Sequence, residues 1–331
     1  MDRIRNSIGP LARKCNLNRL ISWSGQNLVF PFYHTVAEQQ PPHLAFVYRV
    51  RTPREFEQDL DQLLQVFEPM SLTDYLDDRF KQSRKRGMLL SFDDGLVGCY
   101  RFVAPLLRKK GVPAVFFLNN RFIDNRGLFY RYKTSLLIDR VRKDCKAMER
   151  VSEYLKIKAG QVEESLLMIA YGQRALLDKL ALEADLDFSI YLNHSPVYLS
   201  SEQVKDLLAW GFDIGGHSSE HMDFVKLSTR EMVVQVKESI DDLHNRFGIA
   251  SRYFSFPFTS DGISRQVINH LLDQQIAELL MGTAGLKRTG RREFIQRIPM
   301  EDFRVPATDA LKTEYLYYLL KKPLGKNRLR Y

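Results

Sequence analysis

The chain has 331 residues, 44% of them hydrophobic and 27% charged, which is ordinary globular composition and excludes disorder, low complexity and a collagen-like repeat. Its formal net charge of +9 is mildly basic for this length, which favours anionic surfaces without the charge density of a dedicated nucleic-acid binder. Cys15, Cys99 and Cys145 are too few and too scattered for a disulfide framework or a cysteine-based zinc site. No apolar run follows the basic residues Arg3, Arg5, Arg13, Lys14 and Arg19, and none approaches the roughly 18 to 20 residues of a membrane span, so the expectation is a cytoplasmic protein.

Beyond a basic segment at 1–27, short apolar runs alternate with amphipathic helical patterns, as in a parallel sheet or barrel. The first run is Leu28 to His34. A helix follows with a defined start: Thr52 as N-cap, Pro53 at the first position, Glu55 closing a capping box, and Phe56, Leu60, Leu63, Leu64 and Phe67 on one face. Met88 to Phe92 reads as a second strand that ends in Asp93-Asp94-Gly95. A helix then runs to about Lys110, Gly111 caps it, and Val112 to Leu118 forms a third strand. A strand–helix–strand unit of this kind pairs in parallel.

The alternation stops between 121 and 199, where helical patterns at about 130–157 and 161–184 predict an inserted helical subdomain. It resumes at Ser200, the N-cap of a helix ended by Gly211, with Phe212 to Gly216 as the next strand. Ser228 caps a helix with Met232, Val236, Ile240, Leu243 and Phe247 inward, and Gly248 stops it. Tyr253 to Phe258 is a strand, and shorter strands near 277–282 and 294–298 would complete a barrel. Residues 306–331 are basic again, with Lys321, Lys322, Lys326, Arg328 and Arg330. The fold class expected is α/β: a (β/α) barrel at 28–120 and 200–305, with the helical insertion between.

Two motifs that end strands carry chemistry. In Ser91-Phe92-Asp93-Asp94-Gly95, neighbouring carboxylates cannot point the same way along an extended chain, but in a turn one can reach a metal while the other reaches an attacking water. In His217-Ser218-Ser219-Glu220-His221, two imidazoles four residues apart would share one face of a helical turn and bind one metal. Together they supply two neutral imidazoles and a carboxylate, the ligand set of a catalytic zinc-type site, with a second carboxylate left over as a general base.

These motifs resemble the first two signatures of the NodB-type polysaccharide deacetylases, carbohydrate esterase family four. Gly211 to His217 resembles the strand into the family's histidine motif, and Phe254-Ser255-Phe256-Pro257-Phe258 resembles its third motif. The resemblance implies a distorted (β/α) barrel and metal-dependent removal of N- or O-acetyl groups from sugars. It implies Asp93 as general base, Asp94, His217 and His221 as ligands of a divalent metal, zinc foremost, and the backbone N–H of Phe258 as an oxyanion donor. The family's C-terminal Leu-x-His is missing here. Phe32-Tyr33-His34 resembles the Tyr-His of a branch in which that motif is moved to the front, which assigns His34 as general acid. Ser255 stands where the family has an arginine that orients the base, so Arg252 or Arg297 must substitute, with Arg297 preferred because it follows a strand-like run.

The expected partner is a saccharide, either a polymer or a lipid- or nucleotide-linked sugar. Nucleic acid is not expected, and the basic ends suggest peripheral contact with an anionic membrane surface. Release of formyl or O-acetyl groups, or a catalytically inactive glycan-binding barrel, are the alternatives. The insertion is expected to narrow the glycan groove, with Phe129, Tyr130 and Tyr132 packing helices or stacking on sugars, and to be removable without touching metal binding. Trp23, Trp210 and Cys99 read as packing residues, and His43, His194 and His244 as loop or helix-surface residues.

Overall fold

The apolar runs pair in parallel, one after another, until the last stretch of strand returns to the first. In the computed structural model, which describes residues 3–77, 85–301 and 304–329, eleven strands form two parallel sheets. In chain order they are β1 (Leu28–Val29), β2 (Pro31–Tyr33), β3 (Glu68–Pro69), β4 (Gly87–Met88), β5 (Leu90–Phe92) and β6 (Ala114–Leu118), then β7 (Asp213–Gly216), β8 (Tyr253–Ser255), β9 (Leu279–Gly282), β10 (Phe294–Gln296) and β11 (Ile298–Pro299). The main sheet has the order β10-β9-β8-β7-β6-β5-β2-β11, and β1, β4 and β3 make a small sheet at the end where the main strands begin. Helices cover the outside, which is the distorted (β/α) barrel expected. All five residues of β6 are buried, as a strand covered on both faces requires.

Closure depends on a single residue. β10 and β11 are consecutive in the chain yet sit at opposite edges of the sheet, with Arg297 between them. The Arg297 N–H donates to the Gly282 carbonyl (3.0 Å) on one side, and the Ile298 N–H donates to the Phe30 carbonyl (2.8 Å) on the other. The chain thus crosses the seam of the barrel at Arg297, whose side chain points into the interior and is fully buried.

Helix starts follow the capping chemistry of the sequence. Thr52 with Glu55 and Ser228 with Glu231 form capping boxes, and Gly111 and Gly248 end their helices in the left-handed conformation. The helix after the Asp pair departs from expectation: a π-helical stretch at Cys99–Val103 precedes the α-helix Ala104–Lys110. The predicted 130–157 helix is broken at Asp144 (φ −136°, ψ 105°), because its carboxylate caps a new helix by accepting from the N–H groups of Lys146 and Ala147. The insertion therefore holds helices Tyr130–Lys143, Cys145–Leu155, Val162–Leu167, Ala175–Glu183 and Phe188–His194. Its core, with Leu137, Val151, Leu166 and Leu180, is continuous with Leu44 and Leu96 of the barrel's upper loops.

The basic ends fold as helices, Arg3–Arg13, Leu17–Ser24 and Ala307–Lys321, that pack Leu17, Leu20, Ile21, Leu311 and Tyr315 into the same cluster as Phe56 and Leu60. Arg330 lies outside the described residues. Cys99 is fully buried, and Trp210 stacks on Tyr100 with centroids 5.1 Å apart. Trp23 is not a packing residue: it is 64% exposed. His43 is not on the surface. It is buried with Nδ1 2.8 Å from the Tyr191 hydroxyl, and burial pushes its pKa down to about 4. His194 and His244 are exposed. Among the described residues no helix is long and apolar enough to cross a membrane.

Candidate active site and metal cluster

Loops leaving the C-terminal ends of β2, β5, β7, β8 and β11 meet at one end of the barrel, where parallel barrels gather side chains from distant parts of the chain. Asp93 is the last residue of the β5 ladder, its N–H donating to the Tyr33 carbonyl (2.9 Å). Asp94 then takes a left-handed backbone (φ 72°), followed by Gly95 (φ 68°). The two carboxylates therefore diverge, Asp93 into the barrel and Asp94 towards the loop after β7.

That loop is not helical. His217 ends the ladder with β6, donating its N–H to Leu118 (2.9 Å), and Ser218 (φ 64°) and His221 (φ 56°) are both left-handed. The helical-turn geometry expected for the pair is replaced by an irregular loop, braced by the Asn119 side-chain amide on the carbonyls of His217 and Ser218. Strained non-glycine backbone of this kind costs on the order of 1–3 kcal/mol per residue and gathers at functional sites. Phe258 (φ 57°) is a further case, and its ring lies 4.6 Å from that of His221.

Asp94, His217 and His221 are buried and each offers a donor atom, all within 4.8 Å of one another. Asp94 Oδ1 lies 3.4 Å from His217 Nε2 and 3.2 Å from His221 Nε2. His217 Nδ1 sits 2.8 Å from the Ser255 carbonyl, which can only accept, so Nδ1 carries the proton and Nε2 presents its lone pair to the cluster. Asp94 Oδ1 is buried and accepts no hydrogen bond. A buried carboxylate oxygen left unsatisfied beside two imidazole nitrogens is the environment a divalent cation would complete, so these residues fit a metal. Burial opposes ionisation of Asp94, but the histidines hold its carboxyl well below the usual range; burial lowers the pKa of His221.

Asp93 is held separately. Arg297 clamps it bidentately, Nη1 to Oδ1 and Nη2 to Oδ2 at 2.7 Å each, and also donates to Ser91 Oγ (2.9 Å) and Ser255 Oγ. Burial would raise the Asp93 pKa, but the guanidinium outweighs it and lowers it. Arg252 points elsewhere, to Asp241 (3.0 Å). The small Ser255 side chain leaves room for an arginine arriving from the neighbouring seam, which also lies 4.3 Å over the Phe32 ring.

His34 follows β2 on the same rim. Its backbone N–H donates to Glu301 Oε1 (2.5 Å), and its Nδ1 is 3.4 Å from Glu301 Oε2. Burial lowers the pKa of this imidazole, but the charge of Glu301 overrides it and brings it up to about 9. Gly98 allows the helix after the Asp pair to approach this loop: a Cβ there would meet the Val36 carbonyl oxygen at 2.3 Å.

Glu301 and Tyr48 were not legible as site residues, and Tyr132, expected to pack helices or stack on sugars, is also a partner of Asp94. Tyr132 donates its hydroxyl hydrogen to Asp94 Oδ2 (2.7 Å), Tyr48 lies 3.4 Å from the Tyr132 hydroxyl, and the Tyr48 ring stacks on His34 at 4.6 Å. Phe129 packs 4.4 Å from the His221 ring. The insertion thus forms a wall of the site and could not be removed without disturbing it. Glu301 could have been found only through register: Pro299 pairs with Phe32, which brings residue 301 beside residue 34.

A sequence profile of the polysaccharide deacetylase family matches residues 80–277. A search of curated proteins finds no match. Among solved structures, the fold is shared with the Streptococcus pyogenes deacetylase PplD in complex with acetate (TM-score 0.53, 13% identity, covering 85% of this chain and 95% of that one). It is shared with IcaB from Ammonifex degensii (0.53, 19%, 86% and 97%) and with a de-N-acetylase from Aggregatibacter actinomycetemcomitans (0.51, 14%, 86% and 99%). With a family match over more than half its length and the barrel that such deacetylases adopt, this chain is a carbohydrate deacetylase of the polysaccharide deacetylase family.

Proposed function

We propose that the protein removes N-acetyl groups from a saccharide by metal-assisted hydrolysis, with its general-acid histidine at the front of the barrel. The observation that carries this reading is the pairing of a three-donor cluster, Asp94, His217 and His221, with a second carboxylate, Asp93, that Arg297 clamps with its Oδ2 3.9 Å from His217 Nε2. A divalent cation held by the three, zinc being best suited to two imidazoles and a carboxylate, would acidify water and polarise the acyl oxygen.

The chain's own groups have the remaining tasks. Asp93, ionised and oriented by Arg297, takes a proton from the attacking water. The backbone N–H of Phe258 donates to the acyl oxygen as negative charge builds there. His34, kept protonated by Glu301, gives a proton to the departing nitrogen as the C–N bond breaks. The products are acetate and the free amine of the sugar. The carboxylate–arginine clamp does not by itself choose between acyl groups, but a structurally similar de-N-acetylase favours the N-acetyl reading.

The test is metal analysis of the purified protein together with acyl release from a panel of N-acetylated, N-formylated and O-acetylated saccharides, with products identified by mass spectrometry. Asp93→Asn is expected to keep saccharide and zinc binding while turnover falls about 10²- to 10⁴-fold. Undiminished turnover in that variant, or formate as the released acid, would overturn the reading.

A further inference from the structure

At the end of the barrel where the strands begin, the first two helices and the last one bring together two acid-free stretches. Residues 3–27 and 315–329 contain no Asp or Glu. The acidic residues just before the second stretch are used internally: Glu314 is buried against Arg5 (3.1 Å), and Asp309 pairs with Lys312 (3.0 Å). Lys322 Nζ reaches the Trp23 carbonyl at 3.5 Å, and the side-chain amides of Gln26 and Asn327 each lie 3.0 Å from the Tyr318 hydroxyl of the last helix. Around this junction Trp23 is 64% exposed, Leu324 64% and Leu320 52%, with Arg19, Lys322, Lys326 and Arg328 exposed beside them.

We propose that this end of the molecule is an interfacial membrane-binding surface for anionic bilayers. Trp23, Leu320 and Leu324 would enter the boundary between headgroups and acyl chains, and Lys322, Lys326, Arg328 and Arg19 would lie over lipid phosphates. The combination selects the partner. A nucleic acid would use the cations and stack on the indole, but it offers nothing to two exposed leucines, whereas a bilayer interface accommodates indole, leucine and ammonium together. The chain enters β2 from this end and leaves it at His34, so the surface lies opposite the catalytic rim, and docking would turn that rim away from the lipid.

The experiment uses the full chain with vesicles of phosphatidylcholine alone or equimolar phosphatidylcholine and phosphatidylglycerol, read by co-sedimentation at low and high salt. Binding to the anionic vesicles alone, weakened by salt, is expected. Lys322→Gln/Lys326→Gln should weaken it about 25-fold, fivefold for each charge. Trp23→Ala/Leu324→Ala should abolish binding that survives high salt. In a Trp210→Phe background, which leaves Trp23 as the single indole, emission should shift to the blue on binding and be quenched by brominated acyl chains; this readout needs no alteration of the patch. Melting temperature and turnover of a soluble substrate should be unchanged in the patch variants, and none of the vesicle readouts depends on the deacetylase reading. No association with anionic vesicles, no quenching of Trp23, or binding of a DNA duplex as tight as vesicle binding and indifferent to Trp23→Ala/Leu324→Ala would each overturn the proposal.

Discussion

The hydroxyl of Tyr132 and the carboxylate of Asp94, 38 residues apart and on different structural units, are joined by a buried 2.7 Å hydrogen bond. It occupies Oδ2 and leaves Oδ1 facing the two imidazoles, so a residue of the helical insertion sets the orientation of a proposed metal ligand. Outer partners of this kind fix ligand geometry and basicity.

Tyr132→Phe keeps the ring and removes only the donor. Zinc affinity, measured by chelator competition, is expected to fall about 10- to 100-fold. Stability of the metal-free protein should fall by about 1–3 kcal/mol, because a buried carboxylate oxygen loses its partner. Unchanged zinc affinity would show that the insertion only packs against the site.

Arg297→Met leaves Asp93 as a buried, unpaired carboxylate. The expected cost is about 3–5 kcal/mol in denaturant unfolding near neutral pH, together with loss of turnover. Since Arg297 depresses the Asp93 pKa in the folded protein, the stabilisation from the pair is present above the unfolded carboxylate pKa and is lost as pH falls through the lower folded value. The gap between the two proteins should therefore narrow in acid. Asp93→Asn combined with Arg297→Met should recover part of the stability but no activity. A gap that is constant with pH would mean that Arg297 acts through packing alone.

Glu301 holds the His34 pKa up to about 9 against the opposing effect of burial. In chelator-treated protein, an NMR titration of His34 should show a midpoint near 9, and Glu301→Gln should lower it markedly. A raised folded pKa stabilises the protein fully below the unfolded value of about 6.5, and that stabilisation disappears as pH rises through about 9. The stability difference between wild type and Glu301→Gln should be on the order of 3 kcal/mol at pH 6 and vanish by pH 10. An unshifted His34 midpoint in the variant would remove Glu301 from this role.

Much of the architecture could be read from local chemistry. Alternation of apolar runs with capped helices, such as Thr52 to Glu55 and Ser228 to Glu231, reports a parallel barrel because caps and periodicity act over one or two turns. The Asp-Asp-Gly and His-x-x-x-His motifs were legible because each lies in one short segment at a strand end. The break at Asp144 was not, since the same carboxylate fits a helix surface or a new N-cap, and packing against Leu166 and Leu180 decides between them. The exposed indole of Trp23 was misread for a similar reason: composition favours burial of tryptophan, but only the docking of the last helix shows which face of its own helix is covered.

By itself the amino-acid sequence determined which groups are available and which ends of strands carry them, since residue identity and local periodicity are properties of short segments. The tertiary structure alone decided which groups meet. Arg297 reaches Asp93 because the chain crosses the barrel seam there, Glu301 reaches His34 through the β2–β11 register, and Tyr132 reaches Asp94 because the insertion folds back over the rim. Such contacts span 38 to 267 residues, and closing them is a matter of global packing that no local pattern encodes.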